Sequence, residues 1–117
     1  MIKITSYTKG IFAEYLACIF LLLRGYVILS TRYKTKLGEV DVIAKRGKSI
    51  HFVEVKLRKD EDKAKLAITS KNQKRVMNSA KLFMQRNKKY ESYGLSFDAI
   101  TVILPLRVKL IKNAWSE

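Results

Sequence analysis

Between Ile11 and Leu23 the chain reads IFAEYLACIFLLL, an apolar run interrupted only by Glu14. Thr8 stands ahead of it as a candidate N-cap and Gly25 behind it at the stop position, so the pattern predicts a helix from Thr8 to Arg24. Apolar residues nearly surround that helix, which predicts deep burial. Tyr26 to Tyr33 (YVILSTRY) is β-branched and aromatic and reads as a strand. Val40 to Ala44 and Ile50 to Lys56 are clearer strands, separated by a turn around Gly47.

Lys59 to Lys65 (KDEDKAK) follows as a charged, solvated connection. Ser70-Lys71-Asn72-Gln73 has the Ser-x-x-Gln form of a capping box and starts a second helix at Ser70. Val76, Met77, Ala80, Phe83, Met84 and Asn87 keep helical spacing, carrying the helix to about Lys88 with one face on a core. Its other face bears Lys74, Arg75, Lys81, Gln85 and Lys88. After a break at Tyr93-Gly94, Leu95 to Leu104 reads as a strand that Pro105 ends, and Val108 to Ile111 adds an edge strand. The order α-β-β-β-α-β(-β) predicts an α/β or α+β fold, a mixed sheet flanked by helices.

At 117 residues the chain is expected to form one domain over 1–117, with no repeat, low-complexity segment or linker. Its 24 Lys and Arg against 10 Asp and Glu give a net charge of +14, a positive field suited to polyanions. Nucleic acid is the first choice, because phosphate neutralisation releases counterions. A general solubility charge is the plainer alternative.

Cys18 is the only cysteine and His51 the only histidine. An intrachain disulfide is therefore impossible, and a zinc hydrolase or a Ser/His/Asp triad has little support. The apolar run is too short to span a membrane, which takes roughly 20 residues. Glu14 and the lack of a small-x-small cleavage pattern argue against a signal peptide. A cytoplasmic protein without a membrane segment is expected.

The chemistry is concentrated in Gly38–Lys56, GEVDVIAKRGKSIHFVEVK. Strict alternation puts Glu39 and Asp41 on one face of their strand, and Glu54 and Lys56 on one face of the next. A two-residue loop at Gly47-Lys48, glycine first as a type II′ turn prefers, pairs Arg46 with Ser49. That register sets Asp41 opposite Glu54 and Glu39 opposite Lys56. Opposed like charges destabilise a strand pair. A divalent cation between the carboxylates would relieve them, and hard oxygen ligands suit Mg²⁺ or Mn²⁺. Lys56 would then orient a water or stabilise charge growing on a phosphate. A surface salt-bridge ladder from Glu39 to Lys56 is the structural alternative. His51 points away from this face.

An acid on one strand followed by Glu-x-Lys on the next, here Asp41 then Glu54-Val55-Lys56, resembles the PD-(D/E)xK nuclease superfamily. Gly10-Ile-Phe-Ala13-Glu14-Tyr-Leu-Ala17, Gly25-Tyr26, Gly38-Glu39-Val40-Asp41-Val42-Ile43, Phe52-Val53-Glu54-Val55-Lys56-Leu57-Arg58, Lys71 and Phe97-Asp98 resemble, more closely, the bacterial YraN family of predicted endonucleases. The likeness runs from about Lys9 to Val102. It implies a restriction-endonuclease-like fold related to archaeal Holliday-junction resolvases, with Asp41 and Glu54 as metal ligands and Lys56 as the catalytic lysine. A first-helix glutamate often completes such sites, which would make Glu14 a further catalytic and metal-binding residue. Ser96 stands where the family commonly has Arg, and Ala13 where it often has Gly.

Apart from that resemblance, a lone acid in an apolar helix is costly to bury unpaired. A metal or Lys56 would satisfy Glu14, as would an exposed position near Lys9 or Lys71. Lys71, Arg58, Lys74 and Arg75 are candidate nucleic-acid contacts, Lys71 being as readily a solvent lysine. Glu39 is a supporting acid, and Asp98, among apolar neighbours, is expected to take a structural hydrogen-bonding role. The leading expectation is a Mg²⁺- or Mn²⁺-dependent DNA endonuclease acting on branched or structured DNA. A non-catalytic nucleic-acid-binding module is the alternative, and a structural protein with an ion-pair ladder a third. A homodimer would supply two sites for two strands, but no residue in the sequence marks an interface.

Overall fold

A computed structural model describes residues 6–58, 70–103 and 107–115. In chain order the elements are helix α1 (Ser6–Leu23), strands β1 (Val27–Thr35), β2 (Gly38–Arg46) and β3 (Ser49–Arg58), helix α2 (Ser70–Arg86), a short 3-10 turn at Lys88–Tyr90, and strands β4 (Gly94–Ile103) and β5 (Arg107–Trp115). This is the predicted α+β order. The charged connection Lys59–Lys65 and Pro105 lie outside the described residues.

Helix α1 begins at Ser6, two residues before the predicted cap. It ends as predicted, in a Schellman motif: Tyr26 N–H reaches Leu21 O at 3.0 Å and Gly25 N–H reaches Leu22 O at 3.1 Å. Gly25 takes φ +87°, where a Cβ would be strained, and Tyr26 packs in the same cluster as Leu21. Helix α2 starts at Ser70 and stops at Arg86, where the Asn87 side chain donates to Phe83 O at 2.8 Å.

The five strands lie side by side in sequence order. The β1–β2, β2–β3 and β4–β5 pairs are antiparallel. Strands β3 and β4 are parallel, and a parallel pair requires a crossover, which here contains α2. On one face, Ala13, Ala17 and Leu21 of α1 pack on Val42, Ala44, Val53 and Val55. On the other, Val76, Ala80 and Phe83 of α2 pack on Ile43, Ile50 and Phe52.

Deep burial of α1 is not what the fold provides. Only the side of the helix that meets the sheet is covered, and Phe12, Tyr15, Ile19, Leu22 and Leu23 are exposed. A helix lying on one face of a sheet buries one stripe whatever the composition of its other side. Among the described residues, no helix is long and apolar enough to cross a membrane.

Candidate functional site

The β2–β3 hairpin has the register expected of its turn. Arg46 pairs with Ser49, Ala44 with His51 and Val42 with Val53. Gly47 sits at φ +57°, whereas Lys48 is not among the residues of positive φ, as a type II′ turn requires.

Beyond Val42 and Val53 the pairing stops. Asp41 does not face Glu54 across a regular ladder, and alternation itself fails: Val40 packs in the α2-side cluster and Val42 in the α1-side cluster, with Ile43 back on the α2 side. The cause lies in Asp41, whose Oδ2 accepts the Val55 backbone N–H at 2.7 Å. A side-chain oxygen has taken a donor that a ladder partner would otherwise satisfy.

The strands part around a cleft of about 170 Å³ lined by Glu39, Asp41, Glu54 and Lys56 from the hairpin, and by Asn72, Arg75 and Val76 from α2. Glu54 is buried, and its Oε1 lies 3.0 Å from Lys56 Nζ, so Lys56 pairs with the acid two residues earlier. Burial, then the neighbouring Glu54 carboxylate, raises the Asp41 carboxyl from its ordinary 3.8 to about 7. The Val55 hydrogen bond and the Lys56 charge lower it without cancelling the rise, to which Glu14 also adds. Two carboxylates are thus held in mutual repulsion with one ammonium beside them.

A glycine admits α2 to this cleft. Gly38 has φ +156°, and a Cβ built there would lie 2.8 Å from Arg75 Cβ and 2.9 Å from Arg75 O. The β1–β2 turn is tied to the same helix through hydroxyls of Thr35 and buried Ser79 that lie 2.9 Å apart. Thr35 Oγ1 also accepts the Leu37 and Gly38 N–H groups at 3.0 and 3.1 Å.

Glu14 does not line the cleft. Its Oε1 is 3.1 Å from Arg32 Nε, and Arg32 reaches it from φ 52°, an uncommon backbone conformation for a non-glycine residue. Of the four basic candidates only Arg75 lines the cleft. Lys71 and Lys74 are exposed elsewhere on α2, and Arg58 donates to Leu57 O at 2.8 Å. Among the described residues, no three His, Cys, Asp or Glu side chains are grouped to hold a metal by themselves. A cation here would bind Asp41 and Glu54, with water completing its shell.

Asp98 belongs to the opposite face of the sheet and is fully buried. Its Oδ2 accepts from His51 Nδ1 at 2.7 Å, and its Oδ1 takes the Ser96 hydroxyl and the Asn113 N–H. Burial alone would raise this carboxyl, but bonds from His51, Ser96 and Asn113 together hold it below its ordinary value. His51 packs edge-on against Tyr26 with ring centroids 5.0 Å apart, so it serves this network and not the cleft.

The family described as "Uncharacterised protein family UPF0102" matches residues 13–102. The chain belongs to the UPF0102 family. A UPF0102 protein of Rhodopseudomonas palustris (strain BisB5) is 41% identical over 100 residues, covering 86% of this chain and 76% of that one. One of Nitrobacter winogradskyi is 36% identical over 106 residues, 91% of this chain and 89% of the relative. One of Sinorhizobium medicae is 37% identical over 102 residues, 87% and 84% of the two chains. The UPF0102 match contains Glu14, the whole β2–β3 hairpin and the α2 residues of the cleft.

Two participants escaped the sequence reading. Asn72 appears in sequence only as the third residue of a capping box, yet it lines the cleft. Arg32, in a β-branched stretch, carries no signal that it would meet Glu14.

Proposed function

We propose that this UPF0102 protein is a divalent-cation-dependent endonuclease of the PD-(D/E)xK type, in the YraN group, cutting phosphodiester bonds in branched or otherwise structured DNA. The observation that carries the proposal is the Asp41–Glu54 pair: two carboxylates held together where the β2–β3 ladder breaks, one of them with its pKa raised to about 7. A buried site that tolerates such repulsion is suited to a cation.

Asp41 and Glu54 would hold Mg²⁺ or Mn²⁺, which would polarise the scissile phosphate and acidify a bound water. The Val55 N–H fixes the direction of the Asp41 carboxylate. Lys56, set by Glu54 at 3.0 Å, would orient the attacking water or stabilise charge on the phosphate. Arg75, on the far wall, would bind the phosphate backbone as it enters. The net charge of +14 supports a polyanionic substrate. Glu14 is an outer residue in this scheme: its charge reaches Asp41, but its hydrogen bond goes to Arg32.

Incubation of the purified chain with junction, flap and linear DNA in Mg²⁺ or Mn²⁺ tests the proposal. Cleavage that disappears in Asp41→Ala and Glu54→Ala is the expected result, and activity no greater than in those variants would remove the enzyme.

A second reading, a non-catalytic nucleic-acid-binding module, is favoured by one observation. Lys56 already neutralises Glu54 without any cation. That reading predicts salt-dependent DNA binding indifferent to Mg²⁺ and to Glu54→Gln.

A further inference from the structure

The side of α1 facing away from the sheet is large, apolar and uncovered. Phe12 is 51% exposed, Tyr15 68%, Ile19 51%, Leu22 55% and Leu23 83%. Five large side chains at such exposure leave on the order of 600 Å² of apolar surface open, the upper end for a monomer. A standard interface takes about 800 Å² from each partner, so this stripe would supply most of one.

We infer that this face pairs with the same face of a second copy of the chain, α1 against α1. Phe12, Tyr15, Ile19 and Leu22 follow one another at intervals of three, four and three. That is the a/d spacing of a helix seam, which presents a narrow row of knobs to another helix. Two copies carry identical rows, so a two-fold axis makes the contact self-complementary and closed.

Charge decides between a helix and a lipid surface as occupant. Basic residues stand only at the ends of the stripe, Lys9 before it and Arg24 after it, with Arg24 lying over the Phe20 ring at 4.3 Å, whereas an interfacial membrane helix normally carries basic residues along the length of its apolar face. Glu14, the only charge between those two, is turned to Arg32 at 3.1 Å. Two chains of net charge +14 can therefore meet along the middle of this stripe, from Phe12 to Leu22, without opposing like charges there. The cleft lies on the α2 side of the sheet, so both clefts stay open in such a dimer.

The test is the mass of the full chain in solution, by light scattering or sedimentation at micromolar concentrations. Twice the chain mass of 13.5 kDa is expected, with association tightening as salt screens the repulsion between copies. Ile19→Glu and Tyr15→Glu, each at an exposed position, should weaken the dimer about 100-fold or more while leaving far-UV circular dichroism unchanged. Tyr15→Trp should fold as the parent does and show a blue shift of emission as concentration rises. A wild-type monomer at every concentration would overturn the inference, as would a dimer that both glutamate variants preserve. Monomeric protein that sediments with phosphatidylglycerol vesicles and is released by Ile19→Glu would assign the face to a lipid surface instead.

Discussion

The Asp41 carboxylate accepts the Val55 backbone N–H at 2.7 Å, and this single bond ties the break in the β2–β3 ladder to the electrostatics of the cleft. It places one acid beside Glu54 and leaves its charge undercompensated. The metal-free protein should therefore carry a proton on Asp41 well above the ordinary carboxylate range.

The pH dependence follows in sign. The folded pKa of Asp41, about 7, lies above its ordinary 3.8, so between those values the folded state binds a proton that the unfolded chain has lost. Its contribution to stability is complete below about pH 4 and is lost as pH rises through 7, by at most a few kcal/mol. In EDTA, Asp41→Asn should remove this loss, and its Tm at pH 8 should exceed that of wild type by several degrees. Mg²⁺ should raise the wild-type Tm more at pH 8 than at pH 5, because proton and cation compete for one carboxylate. Equal shifts at both pH values would show that Asp41 does not bind the cation. Asp98, held below 3.8, acts in the opposite direction, its contribution being lost only as pH falls below that value.

Gly38 should tolerate no side chain. In Gly38→Ala the new Cβ would meet Arg75 Cβ and O below 3 Å, and backbone oxygen cannot step aside as a flexible side chain can. Overpacking of this kind costs about 1–3 kcal/mol. Urea unfolding should show that loss, and the displaced α2 should weaken DNA binding beyond what the stability change explains.

How far these relations were legible in the sequence depends on their range. The hairpin register was readable because a two-residue loop beginning with Gly47 determines every pair after it. The break at Asp41 was not, since period-two alternation describes a ladder and cannot show a side chain replacing a ladder bond. Gly38 stands in sequence only as the first residue of the Gly-Glu-Val-Asp stretch, and its constraint comes from Arg75, on a helix that enters only after β3. Glu14 reads in sequence as an acid needing a partner, but Arg32 becomes that partner only through a left-handed backbone at φ 52°. The exposure of one side of α1 is hidden in the sequence for a simpler reason: apolar composition records that a surface avoids water, not which surface covers it.

Arg75 is exposed and lines the cleft without an ion pair among the described residues. Arg75→Ala should weaken DNA binding similarly across sequences and lower the slope of log affinity against log salt by about 1. Lys74→Ala, one position away but outside the cleft lining, should reduce affinity without lowering the cleavage rate of bound DNA, whereas Arg75→Ala should lower both. Salt-titrated binding isotherms and single-turnover cleavage separate the two effects.

Lys56 distinguishes structural from chemical roles most sharply. Glu54 is buried and its ion pair to Lys56 is 3.0 Å, so Lys56→Met leaves a carboxylate in the cleft without its counter-charge. Breaking a buried pair costs about 3–5 kcal/mol, and this one, partly open to water on the lysine side, should cost about 2. The double variant Glu54→Gln/Lys56→Met removes both charges and should recover most of that stability in urea unfolding. If Lys56 only balances Glu54, any function lost in Lys56→Met should return in Lys56→Arg, which restores the counter-charge and leaves Glu54 in place. If it orients water at the phosphate, Lys56→Met should bind DNA with near-normal affinity and cleave it at least about 100-fold more slowly. Lys56→Arg would keep the charge but not the compact ammonium, so recovery of stability without recovery of cleavage in that variant would place the role of Lys56 in the chemistry.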